Sequence, residues 1–124
     1  MRSESVSIAF LQKTRDAKRI YATVVHGKIN CDGFKKEGVT FPSIHMQTKL
    51  MQEFYMECRL SPLLVDYIEA HGTGARVGDR EELNAIDKVF CPGRQTVLKI
   101  GSAKSNIGHA EPASGLCSIA KVSY

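Results

Sequence analysis

The stretch Tyr67-Ile68-Glu69-Ala70-His71-Gly72-Thr73-Gly74 decides how this sequence folds. It closes an apolar, β-prone run over residues 63–70 and passes through a histidine into a glycine-rich turn. A helical pattern follows, opened by Gly78-Asp79, with Leu83, Ile86, Val89 and Phe90 on one face. The same order then recurs. Residues 96–101 read as a strand, and Lys104-Ser105-Asn106-Ile107-Gly108-His109 forms a second polar loop ending in histidine. Glu111-Pro112 then starts a last helix, with proline in its first turn. Strands alternating with helices imply a parallel or mixed sheet with helices packed on it. Such α/β proteins place their chemistry outside the carboxyl ends of the strands. Two imidazoles aimed into one cleft there can hold a carbonyl oxygen through their N–H groups as it gains negative charge.

Upstream of this unit, residues 5–11 and 20–25 read as two further strands, joined by a polar turn over residues 13–19. Asn30-Cys31-Asp32-Gly33 and Lys36-Glu37-Gly38 are loop chemistry. Pro42-Ser43 opens a helix expected over residues 43–58, with Ser43 as N-cap and Met46, Leu50, Met51 and Phe54 at helical spacing. Ser61-Pro62 ends it. The last helix carries Leu116, Ile119, Ala120 and Val122, and its pattern stops at Tyr124. The chain thus opens within a few residues of a strand and stops inside a helix, as part of a larger domain would.

At 124 residues the chain suffices for one ordinary domain, and 43% hydrophobic with 24% charged residues is the balance of a soluble globular protein. No apolar run approaches the roughly 20 residues of a membrane helix, and Met1-Arg2-Ser3-Glu4-Ser5 lacks the features of a secretory signal. A cytoplasmic location without membrane contact is expected. The net charge of +4 is scattered. Its densest group, Lys13, Arg15, Lys18 and Arg19, has no interleaved aromatics to stack on bases, so no nucleic-acid partner is expected. Cys31, Cys58, Cys91 and Cys117 contain no Cys-x-x-Cys pair, which argues against a metal site and for free thiols. His26 and His45 fall in no motif and are expected at the surface or at strand ends. Asp32 and Asp79 read as turn and cap residues. Gly72 to Gly78 approximates a dinucleotide fingerprint, a weak match because its third glycine is one position late and no acid ends the strand over residues 96–101.

Tyr67-Ile68-Glu69-Ala70-His71-Gly72-Thr73-Gly74, then Gly78-Asp79 and Glu82-Leu83, then Gly101 to His109, then Glu111-Pro112-Ala113-Ser114-Gly115-Leu116, resemble the C-terminal half of a β-ketoacyl synthase. The likeness is greatest to the condensing domain of animal-type fatty acid synthase. Asn30-x-Asp32-Gly33-Phe34, Gly38-Val39-Thr40-Phe41-Pro42 and Arg2-Ser3-Glu4 fit the same domain, although Ser5 stands where the family usually has glycine.

The resemblance implies a thiolase-like fold layered α/β/α/β/α, of which residues 1–124 are a partial domain with a mixed sheet flanked by helices. It also implies a Cys-His-His site that condenses a malonyl thioester with an acyl-enzyme in fatty acid biosynthesis. His71 and His109 are then the two catalytic histidines, Lys104 is the family's lysine, and Thr73 offers its hydroxyl to a phosphopantetheine amide. The substrate carrier is the phosphopantetheine arm of acyl carrier protein, with no cofactor bound by this segment itself, and the parent is a homodimer.

The family's nucleophilic cysteine is expected some tens of residues before Met1 and its last glycine-rich segment after Tyr124, so the isolated chain is expected to be inactive. Ala75 replaces the usual threonine and removes one hydroxyl for the pantetheine arm, a loss on the order of 1 kcal/mol. Cys117, among apolar neighbours on a helix, is expected to be an inert thiol rather than a substitute nucleophile. A polyketide synthase domain and a non-catalytic remnant remain as alternative readings.

Overall fold

A computed structural model of the chain describes residues 1–123. Tyr124, where the sequence pattern of the last helix stops, lies outside them. The folded centre is built from the unit that opened the sequence reading. Strand β1 (Tyr67–Glu69) leads through the first histidine loop into a long helix, and strand β2 (Lys99–Gly101) leads into the second. The two strands pair in parallel, Tyr67 opposite Lys99, Ile68 opposite Ile100 and Glu69 opposite Gly101. The ladder runs one bond past each strand: Ala70 N–H donates to Gly101 O at 2.7 Å, and Lys99 N–H to Asp66 O at 3.2 Å. Both strands are shorter than the apolar runs predict; ahead of β1, Pro62–Leu64 forms a single 3₁₀ turn instead of extending.

Helix α1 (Ile44–Cys58) begins where the sequence places it: the Ser43 side chain accepts from Met46 N–H and caps the helix. Asp32, expected as a turn residue, accepts the Ser43 N–H at 3.0 Å and Lys35 Nζ at 2.6 Å and so ties its loop to the start of α1. Helix α2 (Arg76–Phe90) starts two residues before the Gly78-Asp79 signal. Its N-cap, Ala75, has no side-chain cap bond. Asp79 instead accepts the Gly74 N–H at 2.9 Å and holds the loop before the helix. The core forms where α1, α2 and β1 meet. Ala70, Ile86 and Phe90 are buried there, with Met51, Tyr55, Val65, Ile68, Val89 and Leu98 packed around them. Tyr55 meets Phe90 edge-on at 5.3 Å between ring centroids. Leu83, predicted for the same face, is 48% exposed and does not belong to this packed cluster.

A short helix not foreseen from sequence, α3 (Lys104–Ile107), occupies the middle of the second histidine loop. Helix α4 (Ser114–Ser123) follows a 3₁₀ turn over Glu111–Ala113. Residues 5–11 and 20–25, expected as strands, form no strand among the described residues. The sheet is accordingly a parallel pair here rather than a mixed sheet. The N-terminal segment is tied down at a few points only. Arg2 forms a parallel bridge with His109. His26 Nε2 lies 2.8 Å from Glu57 on α1, and Lys28 Nζ lies 2.5 Å from Glu57 and 3.1 Å from Glu53. Glu57 is held below the ordinary carboxylate range, chiefly by Lys28 and then by His26.

Candidate active site

The two histidine loops leave adjacent parallel strands at the same end, which brings their side chains together. The His71 and His109 rings lie 5.3 Å apart between centroids and meet edge-on at 89°. They are the only two members of the predicted set with a ring-to-ring contact, and each is held by its own backbone network.

The His71 loop is gripped from two sides. Glu82, on α2, accepts the His71 N–H at 2.6 Å through one oxygen and the Gly72 N–H at 3.0 Å through the other. Ser102, just past β2, donates its hydroxyl to the His71 carbonyl at 3.1 Å. Gly72 has φ +45°, and a Cβ there would stand 2.9 Å from Ser102 Cβ, so only glycine fits between the loops. Burial pushes the His71 pKa below its ordinary value of 6.5. The Lys104 ammonium and His109 push the same way, against the opposing pull of Glu82 and Asp79. His71 is thereby kept neutral at physiological pH.

His109 is oriented by its own chain. Its Nδ1 accepts the Glu111 N–H at 3.2 Å, which leaves the ring proton on Nε2. Glu111 reaches this position with φ +43°, a strained setting for a residue with a side chain, costing about 1–3 kcal/mol. Its carboxylate pairs with Arg2 at 2.8 Å. The His109 N–H donates to Met1 O at 2.9 Å, and Ser3 N–H donates to His109 O at 3.0 Å. Among the described residues, His109 Nε2 and both ring nitrogens of His71 have no hydrogen-bond partner. They are available to a ligand.

Lys104 opens α3, and its N–H donates to Ser102 Oγ at 3.3 Å. Among the described residues its ammonium has no carboxylate at ion-pair distance, and its electrostatic influence falls on His71. Thr73 is half-buried beside the His71 loop and its hydroxyl has no hydrogen-bond partner among the described residues. Cys117 lies on α4 with its sulfur 3.1 Å from Ser5 Oγ. All four cysteines are free.

Sequence reasoning gave no role to Glu69, Glu82 or Ser102, which do most of the positioning. Glu82 had a readable signal: it follows Asp79 by three residues, so both acids face back toward the loop that precedes their helix. Glu69 and Ser102 had none, since the partners through which they join the two loops, Ala103 and His71, are distant in sequence.

A family profile described as the C-terminal domain of β-ketoacyl synthase matches residues 21–124. The chain belongs to the β-ketoacyl synthase family. Its relatives include a fatty acid synthase from Anser anser anser, 51% identical over 121 residues, a match covering 98% of this chain and 34% of that protein. A reducing polyketide synthase from Cochliobolus heterostrophus is 42% identical over 124 residues, covering 97% of this chain and 5% of the relative. Among solved structures, the ketosynthase from module 6 of the bacillaene synthase of Bacillus subtilis 168 superposes with a TM-score of 0.83 at 36% identity. That match covers 90% of this chain and 21% of the ketosynthase. The ketosynthase likeness bears out the layered thiolase-like fold, of which this chain is a part. The chain spans about a third or less of the length of these relatives.

Proposed function

We propose that this chain contributes the two-histidine half of a condensing site in fatty acid biosynthesis, within a partial β-ketoacyl synthase domain comprising residues 1–124. The observation that carries the reading is the 5.3 Å approach of the His71 and His109 rings at the ends of neighbouring parallel strands. The substrate is a malonyl thioester on the phosphopantetheine arm of an acyl carrier protein. Breaking its carboxyl–carbon bond releases CO2 and sends the electron pair toward the thioester oxygen as an enolate. Nε2–H groups of neutral His71 and His109 donate to that oxygen, each typically worth about 2.7–4 kcal/mol of transition-state stabilisation. The α-carbon then attacks the acyl thioester on a cysteine supplied from outside these residues, and the cysteine thiolate leaves. Lys104 adds to burial in favouring neutral His71, and the Thr73 hydroxyl takes a pantetheine amide. The acyltransferase so completed is a homodimer in the cytoplasm, and the isolated chain performs no acyl transfer.

The test is malonyl decarboxylation by a complete condensing domain that carries these residues, with His71→Ala and His109→Ala compared against the parent. Loss of at least about 10²-fold in kcat in each variant is expected. Near-normal decarboxylation in both would remove the assignment. The polyketide alternative shares this chemistry and differs in product. The higher identity to a fatty acid synthase, 51% against 42%, favours the fatty acid reading.

A further inference from the structure

Glu69 is the last residue of β1, and its side chain is only 7% exposed. Three groups from three parts of the fold converge on it. The Ala103 N–H, at the entry to α3, donates to one carboxylate oxygen. The Tyr67 hydroxyl, two residues back on the same face of β1, donates to the other at 2.5 Å. Lys121 Nζ, from the last turn of α4, lies 2.9 Å from that second oxygen. The room for this cluster comes from Gly101, directly opposite Glu69 in the ladder. A Cβ at Gly101 would stand 2.5 Å from the Tyr67 hydroxyl and 3.2 Å from Lys121 Nζ.

Burial alone would favour the neutral acid at Glu69. Its three donors outweigh burial and hold the carboxyl below its ordinary range, so it carries full charge at neutral pH. A carboxylate this enclosed requires both a counter-charge and filled lone pairs, and Lys121 with the two N–H and O–H donors supplies them.

We propose that Glu69 is a positioning residue that fixes the second histidine loop, and with it His109, against His71, with Lys121 as its counter-charge. Glu69 stands two residues before His71, while its partner Ala103 stands next to Lys104 and six residues before His109. One side chain therefore spans the two loops, and α4 is drawn into the same alignment through Lys121. The purpose assigned to this device rests on the condensing-site reading; its existence does not.

The test uses this chain without substrate and reads the rings directly by NMR: cross-relaxation between the His71 and His109 ring protons, and the pH midpoint of His71. The groups acting on His71 are Lys104, Glu82, His109 and Asp79, of which Lys104 and His109 belong to the loop that Glu69 holds. In Glu69→Ala the ring-to-ring signal should fall several-fold and the His71 midpoint should rise toward 6.5, with helical circular dichroism unchanged. In Glu69→Gln the amide oxygen still accepts from Ala103, so most of the signal should remain. The proposal is overturned if Glu69→Ala leaves both readings unaltered, or if Glu69→Gln falls as far as Glu69→Ala. Should Glu69→Ala lose its helices, Lys121→Met decides: a partial fall in the ring signal is expected, and an unaltered signal overturns the proposal. Retained malonyl decarboxylation in complete domains carrying His71→Ala and His109→Ala would remove the condensing reading while leaving these ring measurements untouched.

Discussion

His71 and Glu82 show how single groups set the site. The lowered pKa of His71 means that the unfolded chain takes up a proton more readily than the folded one. His71 therefore contributes stability that is complete above 6.5 and is lost as pH falls through 6.5 toward its folded value. NMR titration should place its midpoint below 6.5, and Lys104→Met should move it upward, since one of the charges opposing protonation is gone. A midpoint unchanged by Lys104→Met would show that the ammonium does not reach the ring. Glu82 is a larger lever on the loop. It accepts two backbone N–H groups that have no other acceptor among the described residues. A hydrogen bond to a charged group contributes about 1.5–3 kcal/mol, so Glu82→Ala should lower unfolding free energy by at least that much in a urea titration. Glu82→Gln, which retains acceptor oxygen for one of the two amides, should lose about half as much.

At the scale of elements, stability comes from one contact between two helices and one short parallel ladder. Phe90 is 4% exposed and sits edge-on against Tyr55, so Phe90→Ala should cost about 3–5 kcal/mol, measured by urea or thermal unfolding. Ser43→Ala removes the cap bond of α1 and should cost about 1 kcal/mol. The His26–Lys28–Glu57 contact pins the N-terminal segment to α1, and its pH response follows from the lowered Glu57 carboxyl. That stabilisation is present above 4.5 and is lost as pH falls through the lower folded value, so the segment should become protease-sensitive in acid before the helices unfold. Helices α1 and α2 were legible in the sequence because their signals are local: the Ser43 cap and the apolar spacing. The histidine loops were legible for the same reason. The strand pattern over residues 5–11 was read from alternation, but pairing needs a second segment alongside, which periodicity in one segment does not supply. Helix α3 has no side-chain cap and spans four residues, too short for any apolar face to announce it. The Glu69 cluster was illegible because Tyr67, Gly101, Ala103 and Lys121 meet only after the strands have paired.

The whole molecule shows far more apolar surface than its core can hide. Val6, Ile8 and Phe10 are 92%, 90% and 87% exposed, and they alternate with Ser5, Ser7 and Ala9 along a segment outside any helix or strand. In a strand this spacing turns all three side chains to one face, a stripe fit for burial. Leu116, Ile119 and Val122, predicted as the apolar face of α4, are also left partly exposed. Exposed stripes of this kind recruit other apolar surface, so the chain alone should bind a hydrophobic dye and self-associate as its concentration rises. The helix pair and histidine loops do not depend on the N-terminal stripe, since Val6, Ile8 and Phe10 are absent from the packed cluster around Ile86 and Phe90. Replacing all three by Thr should therefore leave unfolding free energy within about 0.5 kcal/mol of the unaltered chain, as for surface positions, while dye binding and self-association decline together. A loss of 2 kcal/mol or more, of the size expected for a buried aliphatic or aromatic side chain, would mean that the stripe is already buried in solution, against the chain itself or a second copy. Dye binding that persisted with stability unchanged would move the sticky surface to α4, where Leu116, Ile119 and Val122 would be the next set to replace.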